Sequence, residues 1–496
     1  MALVLFVIQV FIGFYSRKIF LDKLGTEVIG INTTLGNILS FLNLAELGIG
    51  IAMATSLYKP IQCKDKKTIC EIISVQGWLY RRIAIILCVL SVPILILLPY
   101  IFPDTGCSLL YIYVTYLVFL FGSISSYLWN YKEVLIGADQ KNYKLMPWIH
   151  GIRYAKVILQ IIFLKCIDGG IWGWIGLEFI ASIITIFIIN HVIYKEYPWL
   201  KIIKNDSALL VKKYHDIIVK TKQLFVHKIG SFVLEQTAPL IIYAFVSLSM
   251  VAYYGNYMIV IGYAATLINV LFEGMGASIG NLVAENRKEH TLEVFWELFS
   301  ARIFIAAVSC FAIYVLMEPF IRIWIGEKYI LSDTTLFLMI MGVFIRMTRQ
   351  VIDSFKNAYQ LFADVWAPVV EAILNLGLSI FLGYLWGLNG ILLGANISLI
   401  IIVLIWKPYY TFTKGFKMSP FKYYVKYILH IVAILVGAVL VLYVKKLLFS
   451  TEDLLKEIIG CIISLSVYFV LLYFVFLLCT DGMKHFNRRI INVLKR

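Results

Sequence analysis

The sequence predicts an all-α polytopic membrane protein of about 14 transmembrane helices, arranged as two parallel-repeat six-helix lobes around a central cavity with an appended C-terminal helix pair. Three observations carry that expectation: composition, the recurrence of apolar runs, and the alternation of basic connections. Hydrophobic residues make up 61% of the 496 residues and charged residues 15%, against roughly 45–50% and about 25% in soluble domains. That balance excludes an ordinary cytosolic enzyme. The longest polar stretch runs only from Lys195 to Lys228, far below the roughly 100 residues of a typical soluble domain. Function must therefore reside in the helices and their short connections.

A bilayer core of about 30 Å takes about 20 helical residues per crossing. Apolar runs near that length fall at 2–16, 29–57, 83–102, 109–131, 145–164, 171–191, 229–250, 256–283, 298–318, 334–354, 366–386, 390–406, 427–444 and 458–479. The first lacks a basic n-region and a small-residue cleavage site, so it reads as a helix rather than a signal peptide. It is short, about 15 residues before Ser16-Arg17-Lys18, and an N-terminal turn is expected to be missing. Of the 44 Lys and Arg, 30 lie in connections after even-numbered spans and nine after odd-numbered ones. Basic loops stay on the cytoplasmic side, which places both termini and the central loop there and explains the net charge of +15 without nucleic acid. The expected location is a membrane that the chain crosses many times.

The Lys-rich central loop divides the first twelve spans, giving an N-terminal lobe (1–194), a basic cytoplasmic loop (195–228), a C-terminal lobe (229–410) and a pair of helices with a basic tail (411–496). Sliding the first half by 230 residues sets Gly25 on Gly255 and Gly48-Ile49-Gly50 on Ser278-Ile279-Gly280. An even number of crossings separates the copies, so they enter the membrane in the same sense.

Charges inside a bilayer are costly and face protein or water. In the tenth span Arg346, Arg349, Gln350 and Asp353 follow helical spacing on one stripe. Asn32, Gly36, Asn43, Glu46 and Gly50 share a face of the second span, and Asn269, Glu273, Gly276 and Gly280 a face of the eighth. Gln9, Gly13 and Arg17 line the first span; His150, Arg153, Lys156 and Gln160 the fifth; Pro368, Glu371 and Asn375 the eleventh. Glu235 opens the seventh near Pro239. The bland reading is packing glue between helices; as a set, the stripes point to a hydrated cavity. Gly274-Met275-Gly276 and Gly280 do not form a dinucleotide fingerprint, there is no P-loop, the seven His lack ligand spacing, and the eight Cys include no C-x-x-C. Neither a metal site nor a cofactor is expected beyond a proton or sodium gradient.

Ser16-Arg17-Lys18-Ile19-Phe20-Leu21-Asp22-Lys23-Leu24-Gly25 and Asn43-Leu44-Ala45-Glu46-Leu47-Gly48-Ile49-Gly50 resemble the opening of bacterial polysaccharide flippases of the Wzx type. Asn130-Tyr131-Lys132, Gly137-Ala138 and Trp386-Gly387-Leu388-Asn389-Gly390-Ile391 are similar to that family too. The resemblance spans the whole chain. It implies a two-lobed fold shared with multidrug exporters and the lipid II flippase. It also implies movement of an undecaprenyl-diphosphate-linked oligosaccharide repeat unit for O-antigen, capsule or exopolysaccharide assembly, with Arg17 on the family's basic residue. The partners implied are the lipid-linked oligosaccharide, membrane lipids, and the polysaccharide polymerase and chain-length machinery.

The residues fit such cargo. Guanidinium groups bind phosphate bidentately and amides suit sugar hydroxyls. Arg17, Arg153, Lys156, Arg346 and Arg349 with Asn32, Asn43, Gln160 and Asn375 are the expected substrate-binding set in an alternating-access cycle. Glu46, Glu235, Glu273, Asp353 and Glu371 are the expected ion-coupling set. An ion-coupled multidrug exporter is the alternative. A membrane enzyme is disfavoured, because the outward connections are short and the one holding Asp22 and Glu27 has no Asp-x-Asp.

Overall fold

A bilayer leaves no water to satisfy backbone groups, so helix is the expected solution throughout. The structure, a computed structural model, describes residues 2–43, 49–103, 105–139, 141–166, 170–203, 207–215, 217–218, 221, 237–271, 279, 282–283, 287–359, 361, 363–449 and 453–494. Among the described residues there is no strand, and nine helical stretches have the length and hydropathy to cross a bilayer. The chain is a multi-pass membrane protein. It divides into two compact units, Met1–Ala252 and Tyr253–Arg496.

The first unit opens with α1 (Ala2–Leu42), which bends at Gly25, where φ is 81°. Only glycine takes that conformation without cost, and the bend separates the first two spans. The helix therefore continues through Ser16-Arg17-Lys18 up to the bend, beyond the expected end near residue 16, because nothing between those residues and Gly25 breaks a helix. α2 (Ile49–Gln62) leads to α3 (Lys66–Ile101). Asp65 caps α3, its carboxylate accepting from the Thr68 amide at 3.1 Å and hydroxyl at 2.6 Å. At 36 residues, α3 is roughly 54 Å long and overhangs the bilayer. Its overhang buries Glu71, which accepts from Lys213 Nζ at 2.5 Å and Tyr214 Oη at 2.6 Å. This fastens α8 (Ser207–Lys213), a short helix of the basic loop. Between them come α4 (Leu109–Leu128), α5 (Glu133–Ala138), α6 (Met146–Cys166) and α7 (Ile171–Glu196).

Residues 237–245 form α9, followed by a break at Val246–Ser247 and α10 (Leu248–Leu271). The turn comes earlier than the sequence boundary between 250 and 256, because Ser247 caps α10 through its hydroxyl, 3.1 Å from the Met250 amide. Gly255 consequently lies inside a helix. Gly25 and Ser247 stand 222 residues apart, as do the first residues of α3 and of the long helix α11 (Lys288–Trp324). The repeat offset is thus 222 and not 230. The tail of the first unit packs tightly: a Cβ on Gly30 would meet the Leu248 carbonyl oxygen at 2.5 Å, and Tyr243 stacks on Phe102.

The second unit builds on α11 and α12 (Asp333–Ala358). α13 (Trp366–Leu399) folds back on itself at Trp386–Gly387 and then continues through π-helical turns, Ile400–Trp406 and Thr411–Phe416, on either side of Lys407–Tyr410. Its hairpin is held by glycines: a Cβ on Gly390 would sit 1.9 Å from the Leu382 oxygen, and one on Gly394 2.5 Å from Ser379 N. Trp386-Gly387-Leu388-Asn389-Gly390 is therefore an αα-hairpin turn. α14 (Phe421–Leu448) and α15 (Leu454–Cys479) pair with one another, and α15 seats Tyr468 on Phe311 of α11 with ring centres 4.0 Å apart. The core is aromatic, with Phe295 ringed by Phe299, Phe355, Phe412 and Phe416. The amphipathic α16 (Asp481–Leu494) lies on the overhang of α11, where Gly482 permits contact with the Trp296 carbonyl.

Candidate functional site

In the first unit a polar cavity of about 390 Å³ opens between α1, α4 and α7. Helical spacing lines it with Gly36, Ser40 and Asn43 from α1, Ser123 and Ser126 from α4, and Glu178 and Ser182 from α7. Asn43 Nδ2 donates to Ser123 Oγ at 3.3 Å, while its Oδ1 is buried with no hydrogen-bond partner. Glu178 links this cavity to α6: Lys156 Nζ is 2.8 Å from both carboxylate oxygens, and Gln160 Nε2 donates to Oε1 at 3.1 Å. Asn43, Lys156 and Gln160 are thus brought to one place by a residue the sequence reading passed over. Its signal was visible, a lone carboxylate amid the apolar run 171–191.

The other expected residues of this unit lie elsewhere. Arg17 is half-buried eight residues before the bend and donates to the Ala252 carbonyl at 3.2 Å. Asn32 Oδ1 accepts from Tyr111 Oη at 3.0 Å. Arg153 is exposed on α6. Glu46, Glu235 and Glu273 fall outside the described residues.

In the second unit the stripe on α12 meets α13. Arg349 Nε is 3.4 Å from Asp353 Oδ2, and Lys407 Nζ is 3.2 Å from Asp353 Oδ1. Glu371 is 3% exposed and its Oε1 has no hydrogen-bond partner. Arg346 is exposed one turn before Arg349. Asn375 is buried and donates to Ser398 Oγ at 3.4 Å. Gln350 turns away from the cluster and accepts from Arg302, which is 1% exposed and also donates to the Met347 carbonyl at 2.9 Å. Lys407 was missed because the apolar run stops at Trp406 whereas the helix does not.

Metal-ligating types converge at one place among the described residues: oxygen and nitrogen atoms of Glu293, Glu297 and His485 lie within 4.8 Å of one another. Arg489 already stands 3.0 Å from the buried Glu297 carboxylate, so the group serves as an ion-pair clamp for α16.

Outside the spans, Lys141 bridges Asp139 at 2.8 Å and Glu196 at 2.7 Å. Hydrogen bonds to these carboxylates, Asp139 first, push its ammonium up to about 12. These pairs tie the end of α7 to the connection after α5.

No family model matches the chain, and no curated protein does. Solved structures do. The fold is similar to that of a lipid II flippase, MurJ, in an inward closed conformation, with a TM-score of 0.63 and 17% identity over 95% of this chain and 98% of that one. It is also similar to an inward-facing multidrug resistance MATE family transporter of the MOP superfamily (TM-score 0.56, 13% identity, 81% and 93% covered). A mutant of the Vibrio cholerae MATE transporter VcmN gives a TM-score of 0.51 at 16% identity, with 81% and 92% covered. The chain therefore has the polytopic transporter fold common to these proteins.

Proposed function

We propose that the chain is a flippase that moves undecaprenyl-diphosphate-linked oligosaccharide repeat units across the bacterial cytoplasmic membrane by alternating access, with both termini in the cytoplasm. The observation that carries this reading is the charge balance of the α12–α13 cluster. Arg346, Arg349 and Lys407 outnumber Asp353 and Glu371, so this cluster is net positive among the described residues, which suits a diphosphate better than a cation. The hydroxyl and amide lining around Asn43 supplies acceptors and donors for sugar. In this reading Arg346 and Arg349 bind the diphosphate, Lys156 and Gln160 hold Glu178 in place, and Asn43 serves the sugar. A polymerase and chain-length machinery would consume the product, and their pull or an ion gradient acting through Asp353 or Glu371 would supply direction.

The test is a leaflet-resolved assay of lipid-linked glycan in a deletion strain. Complementation should restore outer-leaflet glycan, and Arg349→Ala should lower it at least about tenfold, the effect of about 1.4 kcal/mol, at unchanged protein level. Wild-type output from Arg349→Ala would reject the role given to it. The second reading, an ion-coupled multidrug exporter, is favoured by Glu371, a sealed carboxylate with an unpartnered oxygen. Drug sensitivity on deletion with normal surface glycan would select it.

A further inference from the structure

We propose that a cavity at the basic end of the second unit binds the phosphate headgroup of an anionic phospholipid. The cavity, about 240 Å³, lies where the start of α14, the end of α15 and the first turn of α16 meet α11. Its polar lining is Lys426, His430, Ser300, Thr480 and Asp481, with Trp296 at one side and Ala433 and Val475 forming an apolar wall. Two observations point to an absent ligand. His430 is 5% exposed; its Nδ1 lies 2.6 Å from the Lys426 carbonyl, which makes Nδ1 the donor, and its Nε2 is buried with no partner. Lys426 Nζ sits 4.1 Å over the Trp296 ring and forms no ion pair with a carboxylate among the described residues. The carboxylate that shares the cavity, Asp481, is 78% exposed at its side chain and lies 3.4 Å from Lys484 Nζ instead, so the half-buried Lys426 ammonium has no counter-anion in contact.

The occupant must be anionic at one end and apolar at the other. A free ion would leave the Ala433–Val475 wall facing water, whereas a glycerophospholipid offers a phosphate to Lys426, a hydroxyl to His430 Nε2 and acyl chains to the wall. Lys422, in the first turn of α14, and Arg488, on α16, add positive charge at this end of the unit, where anionic lipid gathers. The site lies apart from the α12–α13 cluster and does not depend on the transport reading.

Thermal unfolding of the purified full chain in detergent tests the proposal, with added phosphatidylglycerol, phosphatidylcholine or inorganic phosphate. Phosphatidylglycerol should raise Tm by several degrees more than phosphatidylcholine. Lys426→Gln should abolish the difference and Lys426→Arg retain it. Ala433→Leu, which fills the apolar wall, should abolish it with the charge intact and serves if Lys426→Gln does not fold. Equal shifts with the two lipids, or an undiminished phosphatidylglycerol increment in both Lys426→Gln and Ala433→Leu, would overturn the proposal. Inorganic phosphate reproducing the whole increment would reject the lipid as its source.

Discussion

At the residue scale, burial decides what each intramembrane charge can do. Lys156 and Glu178 each keep about a fifth of their side chain accessible and neutralise one another, so neither stands alone. Removing one partner leaves a partly buried charge with only Gln160 to answer it, which costs more than removing both. Lys156→Met and Glu178→Gln should therefore each lower Tm more than the double substitution does, with a coupling of about 0.5–3 kcal/mol; additive losses would mean the pair is not energetically joined. The stripe Arg346, Arg349 and Asp353 was legible in the sequence because its spacing is helical. Glu178 stood out as a lone carboxylate in an apolar run and Lys407 lay just past the end of one, but their pairing was not legible, since each partner comes from a different helix and a single sequence carries no record of which helices touch.

At the element scale, the glycines of α13 make a close hairpin, and nothing larger fits between its arms. Gly394→Leu must displace the Leu378–Ser379 backbone, so this variant should lose folded protein in detergent-resistant fluorescence size-exclusion profiles, whereas Gly377→Ala, with open space around it, should leave the profile unchanged. The clamp of Lys141 on Asp139 and Glu196 has a defined pH window. Its folded-state pKa, about 12, lies above the free value of 10.5. Its contribution is therefore complete below the free value and fades as pH rises through the folded one. A wild-type minus Lys141→Met difference in Tm should hold steady at neutral pH and shrink in that alkaline range. Helix existence was readable from run length, but ends were not. α1 runs on through Ser16-Arg17-Lys18 because only Gly25 breaks it, and the turn before α10 follows a serine cap that apolar counting ignores.

At the scale of the whole molecule, an offset of 222 residues relates α3 to α11, and each of these overlong helices buries a glutamate that receives a cation from a later, basic segment: Glu71 from Lys213, and Glu297 from Arg489. Glu293, and not Glu297, stands at that offset from Glu71, and Arg489 lies beyond the second lobe, so the two fastenings share their chemistry without being equivalent positions of the repeat. Charge alternation predicts sidedness. In a background with the native cysteines replaced, Lys67→Cys and Lys422→Cys should react with an impermeant thiol reagent only after the cells are opened, and Ser108→Cys and Ser332→Cys in intact cells. The reverse pattern would invert the topology. The π-helical turns flanking Lys407 carry a further consequence. A wide turn contains a spare link, so losing one residue there can be absorbed by tightening to ordinary helix, which leaves the residues downstream facing as before. In this stretch the chain can shorten by one link without giving up the contact of Lys407 with Asp353.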